Sequence, residues 1–526
     1  MPVAIHEVLD TLTASRYCCS PRDVRDARAS GVPRHLPLEY DEVQSVIDTG
    51  TEEVGWVSQE LAGADLGDKR LNRRLVKTGE RLAKSPSSPI NEACGTWAAT
   101  HGAYRLFNNV KATPAKIIAP HVAETVKRML AQDEPVLAMQ DTVFFSYGQH
   151  PKTRGLGPIG KSNAAGDRGL IMHNALAFTT SGVPLGLLSQ CIWARGEIPE
   201  EDYQDKIVRL QCTAIEEKES SKWLDALRQT KALTPPGVKV VTVADRESDF
   251  YEFLAEAREL KSHYVIRARC DRKLLAEDSE GYESILEALA AAPVLGVKEV
   301  DIPGNGKRAA RTATITVRTA CVTIKPPQRR GAAKDSACTE AITVMVIGAT
   351  EEHPPKGVES ISWVLFTDLP ATTFEHASEK IDWYAKRWGI ETWHKVLKSG
   401  CQVEDCMLEE AERLARYLAL FSVIGVRLMY ITYLAREQPD LPAREVFSEL
   451  EIESLHLRMT KDNPKLKKPA TLKETVRLIG QLGGHLARKC DAEPGVTVLW
   501  RGWMRLYEVV AMVRLIKQNP RLINSS

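Results

Sequence analysis

Two short apolar runs, each followed at once by an aspartate, constrain the fold of this chain most strongly. The first run covers residues 135–140 and precedes Asp141, and the second covers 238–244 and precedes Asp245. Short apolar runs of this kind are typical of strands buried inside a sheet. In open α/β sheets, sites form just beyond the carboxyl ends of the strands. We therefore expect both aspartates to lie just past strand ends, at an open edge.

The segments between and after these runs alternate between strand and helix patterns. Residues 180–183 have a composition typical of a hairpin turn between two strands. The predicted strands are 170–179, 184–194 and 263–268, and the predicted helices are 200–230 and 249–260. This order of strand, hairpin, helix, strand, helix and strand predicts a mixed α/β sheet flanked by helices.

Beyond residue 270 the sequence is first rich in short strand patterns and then again has a strand followed by a helix. Short β-rich runs separated by Gly, Pro and basic turns indicate a β-rich insertion. These runs are 313–317, 322–325 and 341–347. A strand at 362–367 and a long helix over 374–398 follow, and most of the remaining chain has helical spacing.

Composition limits the possible functions without choosing among them. The 526 residues are 43% hydrophobic and 26% charged, which suits a chain that buries a core. A net charge of +1 argues against coating nucleic acid by bulk attraction, although local basic clusters remain. We identify no apolar run of the roughly 20 residues that span a bilayer, so we expect a cytoplasmic protein without a membrane partner. The 11 cysteines lack zinc-site spacing and are expected to be reduced thiols.

The two aspartates predict a divalent-metal site. Carboxylates close together raise each other's pKa, and a cation removes that penalty. Mg²⁺ prefers carboxylate oxygens and retains waters for chemistry. Two such ions about 3.5–4 Å apart activate a water and stabilise the leaving oxygen of a phosphodiester. The alternative is that Asp141 and Asp245 only cap the turns or helices that follow them.

The helix predicted after the insertion carries a polar stripe. At about 100° per residue, four polar residues fall on one side of it. They are Tyr384, Arg387, Glu391 and Lys398. Such a stripe suits an active-site wall in which Glu391 completes the metal site, Arg387 and Lys398 bind phosphates and Tyr384 positions the DNA backbone. The alternative is intrahelical pairing of Arg387 with Glu391, four residues apart.

The spacing Tyr384-x2-Arg387-x3-Glu391-x6-Lys398 resembles the signature of the insertion-sequence-four transposases, whose type member is the transposon-five transposase. The resemblance covers residues 56 to the C-terminus, and several motifs follow in the family's order. They are Leu66-Gly67-Asp68 with Arg70, His101 to Phe107, Gln140-Asp141-Thr142, Asp245 to Asp249, Trp383 to Lys398, Leu482-Gly483-Gly484 and Leu499 to Trp503. Residues 1–52 have no recognised counterpart.

The resemblance implies a DNA transposase of the cut-and-paste type with an RNase H-like core. Asp141, Asp245 and Glu391 would form its catalytic triad and bind Mg²⁺ or Mn²⁺. Arg267 and Trp363 would contact the transposon end, with Trp363 as a stacking surface for a flipped base. The other DNA contacts that we predict are Tyr384, Arg387, Lys398, Lys395, Arg70, Arg73 and Arg74.

Three of these contacts have structural alternatives. Trp363 also fits a strand tryptophan in the core, Arg267 a structural salt bridge, and Lys395 a solvated charge. The partners implied by the resemblance are double-stranded DNA, at inverted terminal repeats and at the target, and a second copy of the chain in a homodimer bound to DNA. Neither a membrane nor a nucleotide cofactor is expected.

The predicted fold is α/β, with an RNase H-like catalytic core, a β-rich insertion and helical domains on either side. The predicted divisions are a 1–52 extension that is poorly ordered and of unassigned role, a 53–133 helical DNA-end-binding domain, the first part of the core at 134–269, the insertion at 270–360, the second part of the core at 361–405, and a 406–526 helical dimerisation domain.

A Gly-rich stretch from Gly155 to Ser162 satisfies the phosphate-loop pattern of ATPases. That motif requires a buried strand before it and a helix after it. Residues 150–154 are polar, residues 163–169 are a poor helix, and Pro158 lies inside the loop. We therefore predict that ATP is not bound, and that Lys161 or Arg168 could instead reach DNA.

Both an enzyme of another class and a protein without catalysis are alternatives to a transposase. An aspartyl-phosphate phosphotransferase using Asp141 generally needs a second aspartate two residues on, where Val143 stands. The remaining alternatives are a transposase-derived DNA-binding protein without catalysis and a metal-dependent nuclease that performs no strand transfer. The complete set of three carboxylates and the polar stripe argue against loss of catalysis.

Overall fold

The computed structural model describes residues 55–160, 163–199, 202–302, 310–329, 339–488 and 491–518. The extension predicted for residues 1–52 lies outside the described residues. So does Lys161 of the Gly-rich stretch.

Helices form the first part of the described chain, as the apolar spacing predicts. They are α1 (Trp56–Leu61), α2 (Lys69–Lys84), α3 (Ile90–Cys94), α4 (Trp97–Phe107) and α5 (Pro114–Leu130). Side chains of Asp68, Thr96 and Thr113 cap the N-termini of α2, α4 and α5. Their apolar faces join the same hydrophobic core as the sheet that follows. The helices are therefore packed on the rest of the protein.

A ten-stranded mixed sheet forms the centre of the protein. The strands are β1 (Val136–Ser146), β2 (Gly157–Pro158), β3 (Arg168–Phe178), β4 (Pro184–Trp193), β5 (Val240–Ala244), β6 (His263–Arg267), β7 (Val294–Ile302), β8 (Arg311–Ile324), β9 (Ile342–Thr350) and β10 (Ser362–Thr367). The intervening helices are α6 (Tyr203–Cys212), α7 (Ser221–Leu233), α8 (Tyr251–Glu259) and α9 (Ile285–Ala291).

Five of these strands have the RNase H-like arrangement. They lie in the order β4-β3-β1-β5-β6, with β1, β5 and β6 parallel and β3 antiparallel to both β1 and β4. The predicted hairpin is the β3–β4 connection. The mixed α/β sheet with flanking helices is therefore confirmed.

Two elements predicted in the first part of the core have other boundaries in the structure. Asp141 does not end its strand, because Thr142 to Ser146 continue β1 in antiparallel pairing with β3. The single charged helix predicted over 200–230 is two helices, α6 and α7, separated by a connection that contains a 3-10 turn at Ile215–Glu217.

The strands between Asp245 and Glu391 in the chain extend the central sheet. β10 pairs with β6 on one side and β9 on the other, and β8 and β7 follow outward. The two strand runs predicted at 313–317 and 322–325 are one strand, β8, which pairs with both β7 and β9. The edge of the sheet beyond β10 is therefore built from the β-rich segment.

The long helix predicted over 374–398 is interrupted. It forms α10 (Phe374–Lys386) and α11 (Trp388–Lys395), which meet at Arg387, followed by a π turn over Val396–Gly400. π turns of this kind often occur at functional sites. Lys398 therefore lies in the π turn, and the four polar residues do not share one regular helix.

Four helices follow the core: α12 (Ala411–Glu437), α13 (Glu449–Thr460), α14 (Leu472–Leu482) and α15 (Val496–Gln518). By length and composition, α12 is the one helix of the described chain that could cross a membrane. However, 78% of its most apolar window is buried inside the protein. It packs against α5 and β4. These contacts account for its apolar residues as those of a core helix.

Candidate active site

Asp141 and Asp245 lie side by side at an open edge of the sheet. The parallel pairing of β1 with β5 stops where Met139 faces Val243. Extending that register by two residues places Asp245 beside Asp141. Asp141 Oδ1 accepts a hydrogen bond from the backbone N–H of Thr142 at 2.8 Å. The end of β5, rather than of β1, creates this open edge.

Asp245 also caps the turn that follows it. Its Oδ1 accepts from the backbone N–H of Glu247 at 2.9 Å, and its carbonyl accepts from Ser248 Oγ at 2.7 Å. The capping alternative is therefore present in the structure. It is compatible with a role in a site, because a carboxylate has two oxygens and the charge of Asp245 still acts on Asp141.

Arg387, where α10 meets α11, links Glu391 to Asp141. Its Nη2 is ion-paired with Glu391 Oε1, and its Nη1 lies 3.6 Å from Asp141 Oδ2. Burial lowers the pKa of Arg387, but the charges of Asp141, Tyr384 and Glu391 raise it above its ordinary value. The intrahelical pair considered as an alternative is thus present, and the same guanidinium also reaches the sheet.

The pKa of Asp141 is raised to about 7. Burial is the main cause, and the charges of Asp245 and Glu391 add to it. Arg387 and the backbone N–H of Thr142 act in the opposite direction without cancelling the rise. Carboxyl groups whose pKa is perturbed in this way cluster at functional sites.

The donor chemistry of Asp141, Asp245 and Glu391 fits a hard divalent cation, since all three offer carboxylate oxygens. Within the described ranges, no three His, Cys, Asp or Glu side chains surround one point with metal-binding spacing. The carboxylate of Glu391 is instead paired with Arg387. A cation at this site would therefore compete with Arg387 for Glu391.

Tyr384 and Trp363 contact each other beside this site. Trp363 lies on β10 and is half-buried, and its ring meets that of Tyr384 edge to face with centroids 5.2 Å apart. Tyr384 is buried. Trp363 thus has one face in the core, as the structural alternative requires, and a part that remains accessible.

The two lysines of the stripe differ in their surroundings. Lys398 Nζ lies 3.4 Å from Glu404 Oε1 and 5.7 Å from the centroid of the Phe145 ring. Glu404 also accepts a hydrogen bond from the backbone N–H of Ser146 at 2.6 Å. Lys395 is exposed. Lys398 is therefore held against the end of β1, whereas Lys395 faces solvent.

Arg267 lies at the end of β6. Its Nη2 donates to the carbonyl of Ser362 at 3.0 Å. It lines a cavity of about 220 Å³ together with Arg246 and Arg269. Because Arg246 directly follows Asp245, this cationic cavity lies next to the carboxylates.

A second basic cavity, of about 500 Å³, separates α2 from α4. The three arginines predicted from sequence, Arg70, Arg73 and Arg74, line it. The prediction missed Lys77 and Arg81, which line it too. Lys77 follows Arg73 by four residues and Arg81 follows Lys77 by four, which places them on the same helix face, so helical periodicity could have identified them.

The sequence interpretation also missed polar residues buried behind Asp141. His394 Nδ1 lies 3.8 Å from Asp141 Oδ2, and its Nε2 lies 3.4 Å from Asn174 Nδ2. Burial, with Lys398 and Arg387 nearby, lowers the pKa of His394 to about 3. Its position three residues after Glu391, on the same helix face, was the available signal.

The Gly-rich stretch has no phosphate-loop architecture in its described part. A turn precedes Gly155, and Gly157–Pro158 form the short strand β2. After the stretch come a 3-10 turn at Ala165–Asp167 and the strand β3. Arg168 is ion-paired with Glu197 at 2.6 Å. The helix that would start at a phosphate loop is replaced by a strand.

Three family models match the chain in sequence order. Residues 53–112 match the model described as Transposase DNA-binding. Residues 202–424 match Transposase DDE domain, and residues 423–519 match Transposase Tn5 dimerisation domain. The middle match includes Asp245 and Glu391, whereas Asp141 precedes it.

An RNase H-like sheet with carboxylates at its open edge, between DNA-binding and dimerisation helices, defines a DDE transposase, a class of DNA-cleaving and strand-transferring enzymes. The order of the three matches is that of one group within this class. The chain belongs to the Tn5-type DDE transposases of the insertion-sequence-four family. DNA binding and dimer formation follow from the outer two matches, and DDE domains generally use divalent metal ions.

Proposed function

We propose that this protein performs cut-and-paste transposition, hydrolysing phosphodiesters at inverted terminal repeats and transferring the freed strand ends to target DNA. The observation that carries this proposal is the convergence of Asp141, Asp245 and Glu391 near Arg387 at the open sheet edge. Three carboxylates and the guanidinium of Arg387 at one sheet edge suit phosphodiester chemistry.

Asp141, Asp245 and Glu391 are the proposed catalytic triad and would hold Mg²⁺, or Mn²⁺ in its place. When bound, the metal supplies an activated water and stabilises the leaving oxygen. Arg387 binds a phosphate of the transposon end, since its planar guanidinium forms two parallel bonds to phosphate oxygens. Lys398 and Tyr384 position the DNA backbone beside it.

The remaining predicted DNA contacts fall on two surfaces. Arg70, Arg73 and Arg74 bind phosphates of the terminal repeat in the cavity between α2 and α4. Near the site, Arg267 and the exposed Lys395 contact the end, and Trp363 stacks on an extruded base. The exposed part of Trp363 and the cationic cavity at Arg267 support these assignments.

The domain divisions predicted from sequence remain our proposal for the functional units. Residues 53–133 bind DNA ends, the core in its two parts (134–269 and 361–405) performs the chemistry with the 270–360 insertion beside it, and residues 406–526 dimerise. Catalysis takes place in a dimer assembled on two ends, in which each subunit cleaves the end that its partner binds. The protein acts in the cytoplasm.

Cleavage of a plasmid carrying the element's own terminal repeats, with Mg²⁺ or Mn²⁺, tests the triad. Asp141→Asn, Asp245→Asn and Glu391→Gln should each abolish cleavage and retain end binding. Asp382→Asn on α10, whose carboxylate pairs with Lys298 at the surface, is the matched control and should cleave normally. Full activity in any one triad variant removes that residue from the site.

The same assay separates the alternative functions. Cleavage without joined products identifies a nuclease, and end binding without cleavage by the unaltered protein identifies an inactive DNA-binding relative. For the dimer, a triad variant with one end specificity is mixed with active protein of another specificity. Cleavage of only the end bound by the inactive subunit supports action in trans, whereas efficient cutting of a single end by a monomer contradicts it.

A further inference from the structure

A row of polar side chains crosses the sheet at the level of Asp141. Asp141 on β1 lies directly opposite Asn174 on β3, and Asn174 lies directly opposite Gln190 on β4. Opposite residues of antiparallel strands project from the same face of a sheet. His394 on α11 and Ser422 on α12 contact this row from above. The candidate active site is therefore backed by a continuous polar line that ends in α12.

As the amides of Asn174 and Gln190 are oriented, the hydrogen bonds along this line run in one direction, and among the described residues Gln190 Oε1 has no partner. Ser422 Oγ donates to the carbonyl of Leu418 at 2.8 Å, so its lone pairs face Gln190. Gln190 Nε2 donates both to Ser422 Oγ at 2.7 Å and to Asn174 Oδ1 at 3.1 Å. With its oxygen occupied in this way, Asn174 presents its N–H groups to His394.

The direction of these bonds determines the tautomer of His394. Asn174 Nδ2 donates toward His394 Nε2 across 3.4 Å, so Nε2 must carry the lone pair. In a neutral imidazole the proton then resides on Nδ1. That nitrogen faces Asp141 Oδ2 at 3.8 Å, which is a close contact but longer than a hydrogen bond. The ring therefore directs an N–H at the carboxylate.

The side chains that form these hydrogen bonds are buried, so losing one of the bonds would be destabilising. Asn174 and Ser422 are fully buried, and His394 is 7% exposed. A buried donor or acceptor without a partner is destabilising by roughly 1–3 kcal/mol. Moving the imidazole proton from Nδ1 to Nε2 would leave Asn174 Nδ2 facing an N–H and Asp141 facing a lone pair. With the amides of Asn174 and Gln190 oriented in this way, the tautomer with the proton on Nδ1 is the one that gives Asn174 Nδ2 an acceptor.

We propose that His394 is a positioning residue for Asp141, and that Asn174, itself oriented by Gln190, fixes its imidazole as the tautomer with the proton on Nδ1. The role of Asp141 as a catalytic carboxylate rests on the proposed function. The tautomer itself depends only on the buried hydrogen bonds. Residues that surround metal-binding side chains orient those side chains and tune the site.

The tautomer can be measured without activity, by ¹⁵N NMR of histidine-labelled full-length protein free of DNA and metal. The His394 resonances are assigned from the His394→Gln variant. We expect the Nδ1–H tautomer in the unaltered protein and the Nε2–H tautomer in Asn174→Asp, whose carboxylate accepts from Nε2. An Nε2–H or doubly protonated ring in the unaltered protein overturns the inference and leaves the proposed function intact.

Cleavage kinetics test the positioning role. Asn174→Asp should lower kcat by about 10- to 100-fold with unchanged KM and end affinity. His394→Gln, which retains an N–H donor, should keep more activity than His394→Ala. His376→Gln, at an exposed histidine of α10, is the control and should behave normally. Equal activity of His394→Ala and the unaltered protein contradicts the inference, whereas an active Asp141→Asn variant contradicts the proposed function instead.

Discussion

A half-buried carboxylate in α1, that of Glu60, offers a quantitative test of what holds the DNA-binding helices on the catalytic sheet. Glu60 pairs with two residues of α5, with His121 Nδ1 2.5 Å and Arg128 Nη1 2.8 Å from its oxygens. Both partners also form hydrogen bonds with the backbone of β4. His121 Nε2 accepts from the N–H of Leu187, and Arg128 Nε donates to the carbonyl of Leu185. Replacing Glu60 by Gln should weaken this connection.

The pKa of Glu60 gives the size of the effect. Burial would raise the pKa, but His121 and Arg128 lower it from 4.5 to about 2. At about 1.4 kcal/mol per pKa unit, this corresponds to about 3 kcal/mol at neutral pH. Because the folded-state pKa is depressed, the stabilisation is present above the unfolded-state value of 4.5. It is lost as pH falls toward 2.

Hydrogen exchange of α1 and α5 measures this stabilisation locally. At pH 7, Glu60→Gln should speed exchange on the order of 100-fold, and at pH 3 the free-energy difference should be less than half as large. Glu124→Gln on α5 removes an exposed pair with Lys127 and should change exchange little. An unchanged rate at pH 7, or a difference that persists undiminished at pH 3, would refute the reasoning.

Three further predictions concern DNA and nucleotide. Trp363→Ala should slow end processing by an amount corresponding to about 1–3 kcal/mol while leaving the circular-dichroism spectrum unchanged; an unfolded variant would favour a purely structural role. Arg74→Ala should reduce the slope of log affinity for end DNA against log salt by about one, and Arg444→Ala, at a residue 79% exposed on its side chain, should not. The purified protein should show no DNA-dependent ATP hydrolysis, so Lys161→Ala should leave nucleotide turnover at background; measurable turnover would contradict this.

Sequence patterns predicted the elements whose burial is uniform. The apolar run before Asp245 forms β5. Its first residue, Val240, is half-buried and its other four residues are buried. β7 was not predicted. It lies at a sheet edge, contains the charged residues Lys298, Glu299 and Asp301, and has few buried residues. Its strand character depends on pairing with β8, which no local pattern reveals.

The site was predictable in its residue types but not in its contacts. Asp141, Asp245 and Glu391 were singled out by position within elements and by family spacing. The placement of Asn174 beside Asp141 depends on the register of β1 with β3, which only long-range pairing determines. The contact of Arg387 with Asp141 is likewise long-range, whereas helical periodicity pairs Arg387 with Glu391 alone.

The ion pairs of the DNA-free site imply that metal and DNA bind cooperatively. Arg387 pairs with Glu391 and faces Asp141. Binding of a DNA phosphate to Arg387 and binding of a cation to Glu391 both break the pair between these two residues. A phosphate that draws Arg387 away frees Glu391, and a cation that binds Glu391 frees Arg387. Such coupling is reciprocal and typically amounts to about 1–3 kcal/mol.

The affinity of the protein for end DNA should therefore be about 5- to 150-fold higher with Ca²⁺ than with a chelator. Arg387→Gln should bind ends more weakly in both conditions and lose most of this ratio; a ratio equal to that of the unaltered protein would show that Arg387 does not couple the two.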